Sequence, residues 1–370
     1  MEIAEKETSS KGSDSEALIP GLPDEVAELC LLHVPYPYQA LARSISSSWN
    51  RVITHSTFLL SKKSLSLSRP YLFVLASHKS TARVQWQALD PASGRWFVLP
   101  PMPAPKPSCP MSFACASLPS HGKLFVMGGM RSDTQTPMDS TFVYRTSTNQ
   151  WSRLSPMKTA RSYFTAAEIN GKIVAVGGAE PPTMNSIREV EIYDPERDAW
   201  ESRAKTETNM GRYDSAVMAG KLYVTEGWTW PFMFPPRGAA YDGERDAWEG
   251  MRQGMREGWT GVSAVVGGRL ITISEYGDGP VKVYDEERDK WEHVRGERFP
   301  REKLERPLTV RGEQGRIFVV ASRLNVGIGR VEVEHDREKG KETVKVKWEV
   351  VEAPEAFAEL TPSHCQVLYA

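Results

Sequence analysis

Residues 171–200 read G-K-I-V-A-V-G-G, then a polar loop, then V-E-I-Y-D-P-E-R-D-A-W. The first apolar run ends in Gly177 and Gly178. The second ends in Tyr193 and Asp194, and Trp200 follows seven residues after the tyrosine. Short apolar runs bounded by Gly, Pro and Asp are strand signals, and D-P-E-R-D is a turn between two of them.

The unit recurs on both sides. Tyr144 precedes Trp151, Tyr241 precedes Trp248 and Tyr284 precedes Trp291, each by seven residues. Leu89 and Trp96 keep the spacing with leucine in the tyrosine place, and Trp348 closes the series after a longer, more charged hairpin. Intervals of 55, 49, 48, 43 and 57 residues between the tryptophans fit four strands plus turns. The upstream strand repeats too, as K-L-F-V-M-G-G at 123–129, K-L-Y-V-T-E-G at 221–227, R-L-I-T-I-S-E at 269–275 and R-I-F-V-V-A-S at 316–322. A period near fifty residues built of short strands signals a β-propeller. With the strands of a blade named a to d from the axis outward, c ends in the tyrosine and d carries the tryptophan. Nothing before Tyr71 supplies strand a for the first unit. The chain end, H-C-Q-V-L-Y-A at 364–370, does. The expected fold is therefore mainly β, a six-bladed propeller over 71–370 closed by the C-terminal strand.

The first seventy residues differ in kind. Residues 1–17 are polar and charged and are expected to be disordered. Residues 18–60 read L-I-P-G-L-P-D-E-V-A-E-L-C-L-L-H-V-P-Y-P-Y-Q-A-L-A-R-S-I-S-S-S-W-N-R-V-I and onward. Pro23, Asp24 and Glu25 suit the first turn of a helix. Val26, Leu29, Cys30 and Leu32 are expected to form its apolar face, and Pro35 and Pro37 end it. Further helical patterns run over 38–48 and through Trp49, Val52 and Ile53. So small a bundle holds more apolar surface than it can bury, which argues for docking. Residues 61–70 form the expected linker.

Composition narrows the function. Lys and Arg total 46 against 47 Asp and Glu, so no charge excess points to nucleic acid or an anionic membrane. No apolar run has membrane-spanning length. Cys30, Cys109, Cys115 and Cys365 are scattered, as in a reducing compartment, and the expected location is the cytoplasm, the nucleus or both. The seven histidines stand singly, at 33, 55, 78, 121, 293, 335 and 364. No nucleophile elbow, phosphate loop or metal-ligand spacing occurs, so no catalytic site, cofactor or metal is expected. Asp194 and Asp285 are expected to cap turns through their side chains.

The double glycine, tyrosine and tryptophan together resemble the kelch repeat. Gly128, Gly129, Gly177 and Gly178 match the glycine pair, Gly227 matches it singly, and the last two units lack it. The resemblance implies that the glycines end strand b and that tyrosine and tryptophan pack between blades. L-P-D-E-V ahead of a leucine-rich helix resembles an F-box. That resemblance implies docking of the Skp1 adaptor of a cullin–RING ubiquitin ligase through Leu22, Pro23, Val26, Leu31, Leu32 and Leu41, with Trp49 partly core. F-box followed by kelch repeats is characteristic of a plant family, and the sequence is similar to its members that target phenylalanine ammonia-lyase or cytokinin response regulators. The implied role is substrate recognition for ubiquitination and proteasomal degradation, without catalysis. The alternatives are a scaffold that sequesters its target and a kelch-type metalloenzyme.

Because the chain enters blade 1 at strand b, the helical unit and its adaptor are expected near the face of the a–b and c–d turns. The b–c and d–a loops then form the recognition face. The richest of them is G-W-T-W-P-F-M-F-P-P-R at 227–237, with Trp228, Trp230, Phe232, Met233 and Phe234 as candidate target contacts, and Trp259 as an extension. Arg161, Arg212, Arg252 and Arg256 in d–a loops are candidate grips on acidic groups, with Arg131 and Arg188 behind them. The competing reading makes the aromatics a cover over the channel or a neighbouring blade, and the arginines local hydrogen-bonding residues.

Overall fold

Tyr193 stands directly opposite Trp200 across the outer hairpin of its sheet. Tyr144 and Trp151, Tyr241 and Trp248, and Tyr284 and Trp291 face each other in the same register. The turn between each pair holds a left-handed residue, Asn149, Asp198, Asp246 or Asp289, a conformation that Asn and Asp tolerate better than most side chains. Asp194 caps its turn as expected, accepting from the amides of Glu196 at 3.0 Å and Arg197 at 3.3 Å. Asp285 does the same for Arg288 at 3.1 Å.

These hairpins belong to a six-bladed propeller. The computed structural model describes residues 17–81, 83–105, 109, 112–180, 185–207, 214–226, 235–274, 279–336 and 341–370. It divides into two units, Met1–Ser68 and Arg69–Ala370. In order a to d, blade 2 is Phe113–Leu118, Lys123–Gly128, Thr141–Arg145 and Gln150–Leu154. Blade 3 is Thr165–Ile169, Lys172–Val176, Val190–Asp194 and Ala199–Arg203. Blade 4 is Asp214–Met218, Lys221–Thr225, Gly238–Asp242 and Ala247–Gly250, and blade 5 is Gly261–Val266, Arg269–Ser274, Val281–Asp285 and Lys290–His293. Blade 6 is Thr309–Glu313, Arg316–Val320, Val326–Asp336 and Lys341–Val351, extended by Arg295–Gly296 running parallel to strand d.

Blade 1 takes its strands b, c and d from Pro70–His78, Val84–Asp90 and Arg95–Val98, and its strand a from Leu360–Tyr369 at the chain end. That strand begins four residues earlier than the H-C-Q-V-L-Y-A segment. It is tied to both neighbours. Gln366 donates to the Cys115 carbonyl at 3.0 Å and accepts from Ser117 at 2.9 Å on blade 2. Tyr369 donates to Glu313 of blade 6 at 2.8 Å. Closure in this way leaves no open inner edge.

The glycine pairs act as the resemblance implied. A Cβ on Gly128 would lie 2.5 Å from the Arg161 carbonyl oxygen, and one on Gly178 would lie 2.9 Å from that of Ser162. Both residues have positive φ. The core lies between blades. Phe125 and Met127 of blade 2 pack with Tyr193 and Trp200 of blade 3. In blade 6 the tyrosine place is taken by Gly329, opposite Trp348. A Cβ there would come within 2.9 Å of the indole, and Phe299 meets that indole edge-on at 5.2 Å.

Among its described residues the N-terminal unit holds four helices: α1 Asp24–Leu32, α2 Gln39–Ala42, α3 Ser47–Thr54 and α4 Ser56–Ser64. The helical pattern over 38–48 is cut short because Ser46 caps α3, its hydroxyl accepting from the Trp49 amide at 3.1 Å. Helix α4 runs through the first residues of the expected linker. Leu18, Ala27, Leu31, Leu32, Ala42, Ile53 and Phe58 form the core of the unit.

Candidate protein-interaction surfaces

Helix α1 is apolar on both sides, and Leu31 and Leu32, read as docking positions, lie on the side it buries. Leu31 and Leu32 are 1% and 3% exposed, packed among Ala27, Ile53 and Phe58. They are core residues, not an outward docking face. Ala27 and Leu31 stand one turn apart and fill the interior together. Val26, Leu29 and Cys30, three of the four residues read as the apolar face, are exposed, and only Leu32 is buried. Leu22 and Pro23 ahead of the helix are exposed as well. A second exposed row, Tyr38, Leu41 and Ile45, follows at helical spacing, with Leu41 66% exposed. Leu29, Tyr38 and Ile45 were missing from the residues read as docking positions; the three- and four-residue steps from Val26 and Leu41 were the signal that could have found them. Trp49 is half-buried, and its indole N–H donates to the Leu18 carbonyl at 2.6 Å, which anchors the start of the unit.

On the propeller, the d–a arginines part company. Arg161 is fully buried and pairs with Glu191 at 2.5 Å, with side chains 0% and 2% exposed. It also donates to the carbonyls of Gly177 at 2.9 Å and Glu189 at 2.8 Å. Glu191 in turn accepts from the amides of Lys158 at 2.7 Å and Thr159 at 3.0 Å. Every one of these groups lies within blades 2 and 3 and their connections, so Arg161 fastens the blade junction and is closed to a partner. Trp259 is likewise buried, at 1% exposure. Its indole donates to Asp214 at 3.0 Å, and Ser263 donates to the same carboxylate at 2.7 Å. Burial pushes the Asp214 carboxyl above its ordinary range despite these donors. Trp259 therefore closes the junction of blades 4 and 5 instead of extending an open patch.

Arg252 is exposed and leads into helix α5, Gln253–Gly258, donating to the Glu286 carbonyl at 2.5 Å. Arg256, inside α5, is half-buried, and its Nε has no hydrogen-bond partner among the described residues. Arg131 pairs with Asp133 at 2.6 Å and Arg188 donates to the Thr206 carbonyl at 2.5 Å. Arg212, Trp228, Trp230, Phe232, Met233 and Phe234 lie outside the described residues. The flanks of the aromatic stretch are described. Strands b and c of blade 4 stay paired up to Thr225 and Gly238. Just beyond, Arg237 grips the Glu226 carboxylate through Nε at 3.0 Å and Nη2 at 2.9 Å, and its amide adds a bond at 2.9 Å. This two-pronged clamp fixes the base of the connection.

In blades 2 to 5 the tryptophan of the outer hairpin reaches the segment leading in from the preceding blade. Trp151, Trp200, Trp248 and Trp291 donate to the carbonyls of Pro100, Ser155, Ala204 and Gly254 at 3.0, 3.1, 2.8 and 3.0 Å. The left-handed aspartates complete the link: Asp198 accepts from Ser155, Asp246 from Ala204 and Asp289 from Gly254. These polar side chains are occupied structurally. Among the described residues no group of three or more His, Cys, Asp or Glu side chains is placed to hold a metal ion, and no helix is long and apolar enough to cross a membrane.

Comparison with known proteins agrees with both units. Residues 71–351 match the FKB95 kelch-repeats domain and residues 19–61 match the F-box domain. The chain is 51% identical over 368 residues to the F-box protein AFR of Arabidopsis thaliana, covering 99% of this chain and 95% of that protein. It is 39% identical over 368 residues to the F-box/kelch-repeat protein At1g30090 of the same plant, covering 99% and 90%.

Proposed function

This chain belongs to the F-box/kelch-repeat family, and from that premise we propose that it is the substrate-recognition subunit of an SCF-type ubiquitin ligase. The F-box unit docks a Skp1-like adaptor, and the propeller holds a target protein for ubiquitination and degradation. The observation that carries the reading is the exposed apolar set on the F-box unit: Leu22, Val26 and Leu29 by α1, and Tyr38, Leu41 and Ile45 around α2. The unit already has a closed core of its own, so these side chains are surplus to its folding. Apolar rows of this kind on a small unit fit a partner surface.

The target is held by the b–c side of blade 4, where Trp228, Trp230, Phe232 and Phe234 lie in sequence between the two clamp residues, Glu226 and Arg237. A fixed loop base reduces the ordering cost of binding. Arg252 remains a candidate target contact, and Arg161 and Trp259 do not. The chain itself performs no catalysis in this reading. Phenylalanine ammonia-lyase and cytokinin response regulators are the first targets to test.

Proximity labelling with wild type and with Val26→Glu/Leu41→Glu tests the reading. The double variant keeps its target-binding face and loses the ligase, so targets accumulate on it. Proteins enriched there and stabilised in the cell by a proteasome inhibitor are the expected result. Equal labelling, with no change in half-life, contradicts degradation and favours sequestration.

A further inference from the structure

The six inner strands enclose a central channel with a cavity of about 500 Å³. That volume lies within the range of small-molecule sites, roughly 300–1,000 Å³. Its lining is not uniformly apolar. Thr165, Glu168, Ser215, Thr309, Arg311 and His364 all face it.

Arg311 is the anomaly. It stands mid-strand in strand a of blade 6, and its guanidinium makes no hydrogen bond or ion pair among the described residues. The carboxylates that act on it electrostatically are Glu313 and Glu168. Both carboxylates are committed elsewhere. Glu313 accepts from Tyr369 at 2.8 Å, and Glu168 accepts from the Gly171 amide at 2.7 Å. Burial works against the charge on Arg311 more strongly than these groups support it. Arg311 is half-buried where it lines the cavity, and an arginine cannot shed its proton to escape the cost of partial desolvation, so an unpaired guanidinium there suits an anion. Two more polar atoms on lining residues, Ser363 Oγ and His364 Nε2, are buried without a partner among the described residues.

We propose that the channel binds a small organic carboxylate, held bidentately by Arg311. The planar fork of arginine matches a carboxylate in two parallel hydrogen bonds. Arg311 is the one arginine or lysine lining the cavity among the described residues, and it matches one carboxylate. A phosphate dianion would need a second cation, and Glu168 on the opposite side of the channel disfavours the extra charge. This site is separate from the loops assigned to target binding, and it stands whether or not the chain serves a ligase.

The test is thermal unfolding and calorimetric titration of the full chain with acetate and succinate, against inorganic phosphate and chloride at matched ionic strength. A saturable rise in the unfolding midpoint with a carboxylate is expected, since a ligand that binds only the folded state stabilises it by mass action. Arg311→Gln removes the saturable rise. Arg311→Lys keeps the charge without the fork and weakens binding about tenfold or more, the size of a lost charged hydrogen bond. Circular dichroism of both variants separates lost binding from lost folding, and if Arg311→Gln fails to fold, Arg311→Lys decides. No saturable carboxylate effect overturns the proposal, as does an effect that survives in the folded variants. Saturable binding of phosphate alone, lost in Arg311→Gln, overturns the carboxylate class.

Discussion

Arg161 and Glu191 form a buried ion pair at 2.5 Å that joins the connection entering blade 3 to strand c of the same blade. Removing the arginine leaves Glu191 charged and enclosed. Arg161→Ala is expected to cost about 3–5 kcal/mol, the usual penalty for breaking a buried pair from one side. Arg131→Ala, at the exposed pair with Asp133, should change stability by less than about 1 kcal/mol. Denaturant unfolding of the two variants gives the comparison. Equal effects would contradict a structural role for Arg161.

The outer hairpins predict a second effect. Asp198 accepts from the Tyr193 hydroxyl at 2.7 Å and from the Ser155 amide at 3.0 Å. Asp198→Ala strands both donors and should destabilise the propeller by about 1–3 kcal/mol. Asp198→Asn keeps an acceptor and should cost less. Chemical denaturation orders the two variants. Loss of the same stability in both would show that the negative charge, and not the acceptor, is what matters.

Acid should unfold the protein in two stages. His364 is half-buried with its Nε2 enclosed, and this burial lowers its pKa from the ordinary 6.5 to about 4. Between those values the unfolded chain binds a proton that the folded chain refuses, so stability falls as pH drops from 6.5 to about 4, by at most about 3 kcal/mol. Asp198 and Asp289 have lowered pKa values, the first held down chiefly by the Tyr193 hydroxyl, the second by Tyr284 and two amides against the opposing effect of burial. Their contribution is present above the ordinary 3.8 and is lost as pH falls below it. Asp214 acts in the opposite sense: its raised pKa favours the folded state at low pH, and that contribution is lost as pH rises. In unfolding midpoints measured across pH, His364→Gln should flatten the first stage and leave the second. An unchanged profile would contradict a His364 held neutral by its enclosure.

The propeller was legible because its signal is repeated. Four tyrosine–tryptophan pairs at one spacing report one geometry, the face-to-face register of an outer hairpin, and the unmatched first unit pointed to the chain end for its missing strand. The sites were less legible because residue type does not reveal burial. Arg161 and Trp259 are arginine and tryptophan in loops, as interface anchors are. Their partners, Glu191 and Asp214, lie 30 and 45 residues away in sequence. Helix α1 misled for another reason. Both its faces are apolar, so periodicity found the helix without saying which face turns inward. Ala27, the smallest residue, marks the buried side.

That inversion makes a direct contrast. Leu31→Ala empties part of the core of the F-box unit and should destabilise it by about 2–5 kcal/mol. Leu41→Ala removes an exposed side chain and should lie within about 0.5 kcal/mol of wild type. Protease sensitivity of the N-terminal unit in the full chain reads the difference. A Leu41 variant as sensitive as the Leu31 variant would place Leu41 in the core.

Co-purification of the full chain with a Skp1-like adaptor tests the central claim most directly, using Val26→Glu and Leu41→Glu beside wild type. Each change places a carboxylate on an apolar surface that folding does not consume. The account predicts that wild type retains the adaptor, that each variant loses affinity by about 30-fold or more, the effect of an interface hot spot, and that the unfolding midpoint of the propeller stays unchanged. Undiminished capture by both folded variants would contradict it.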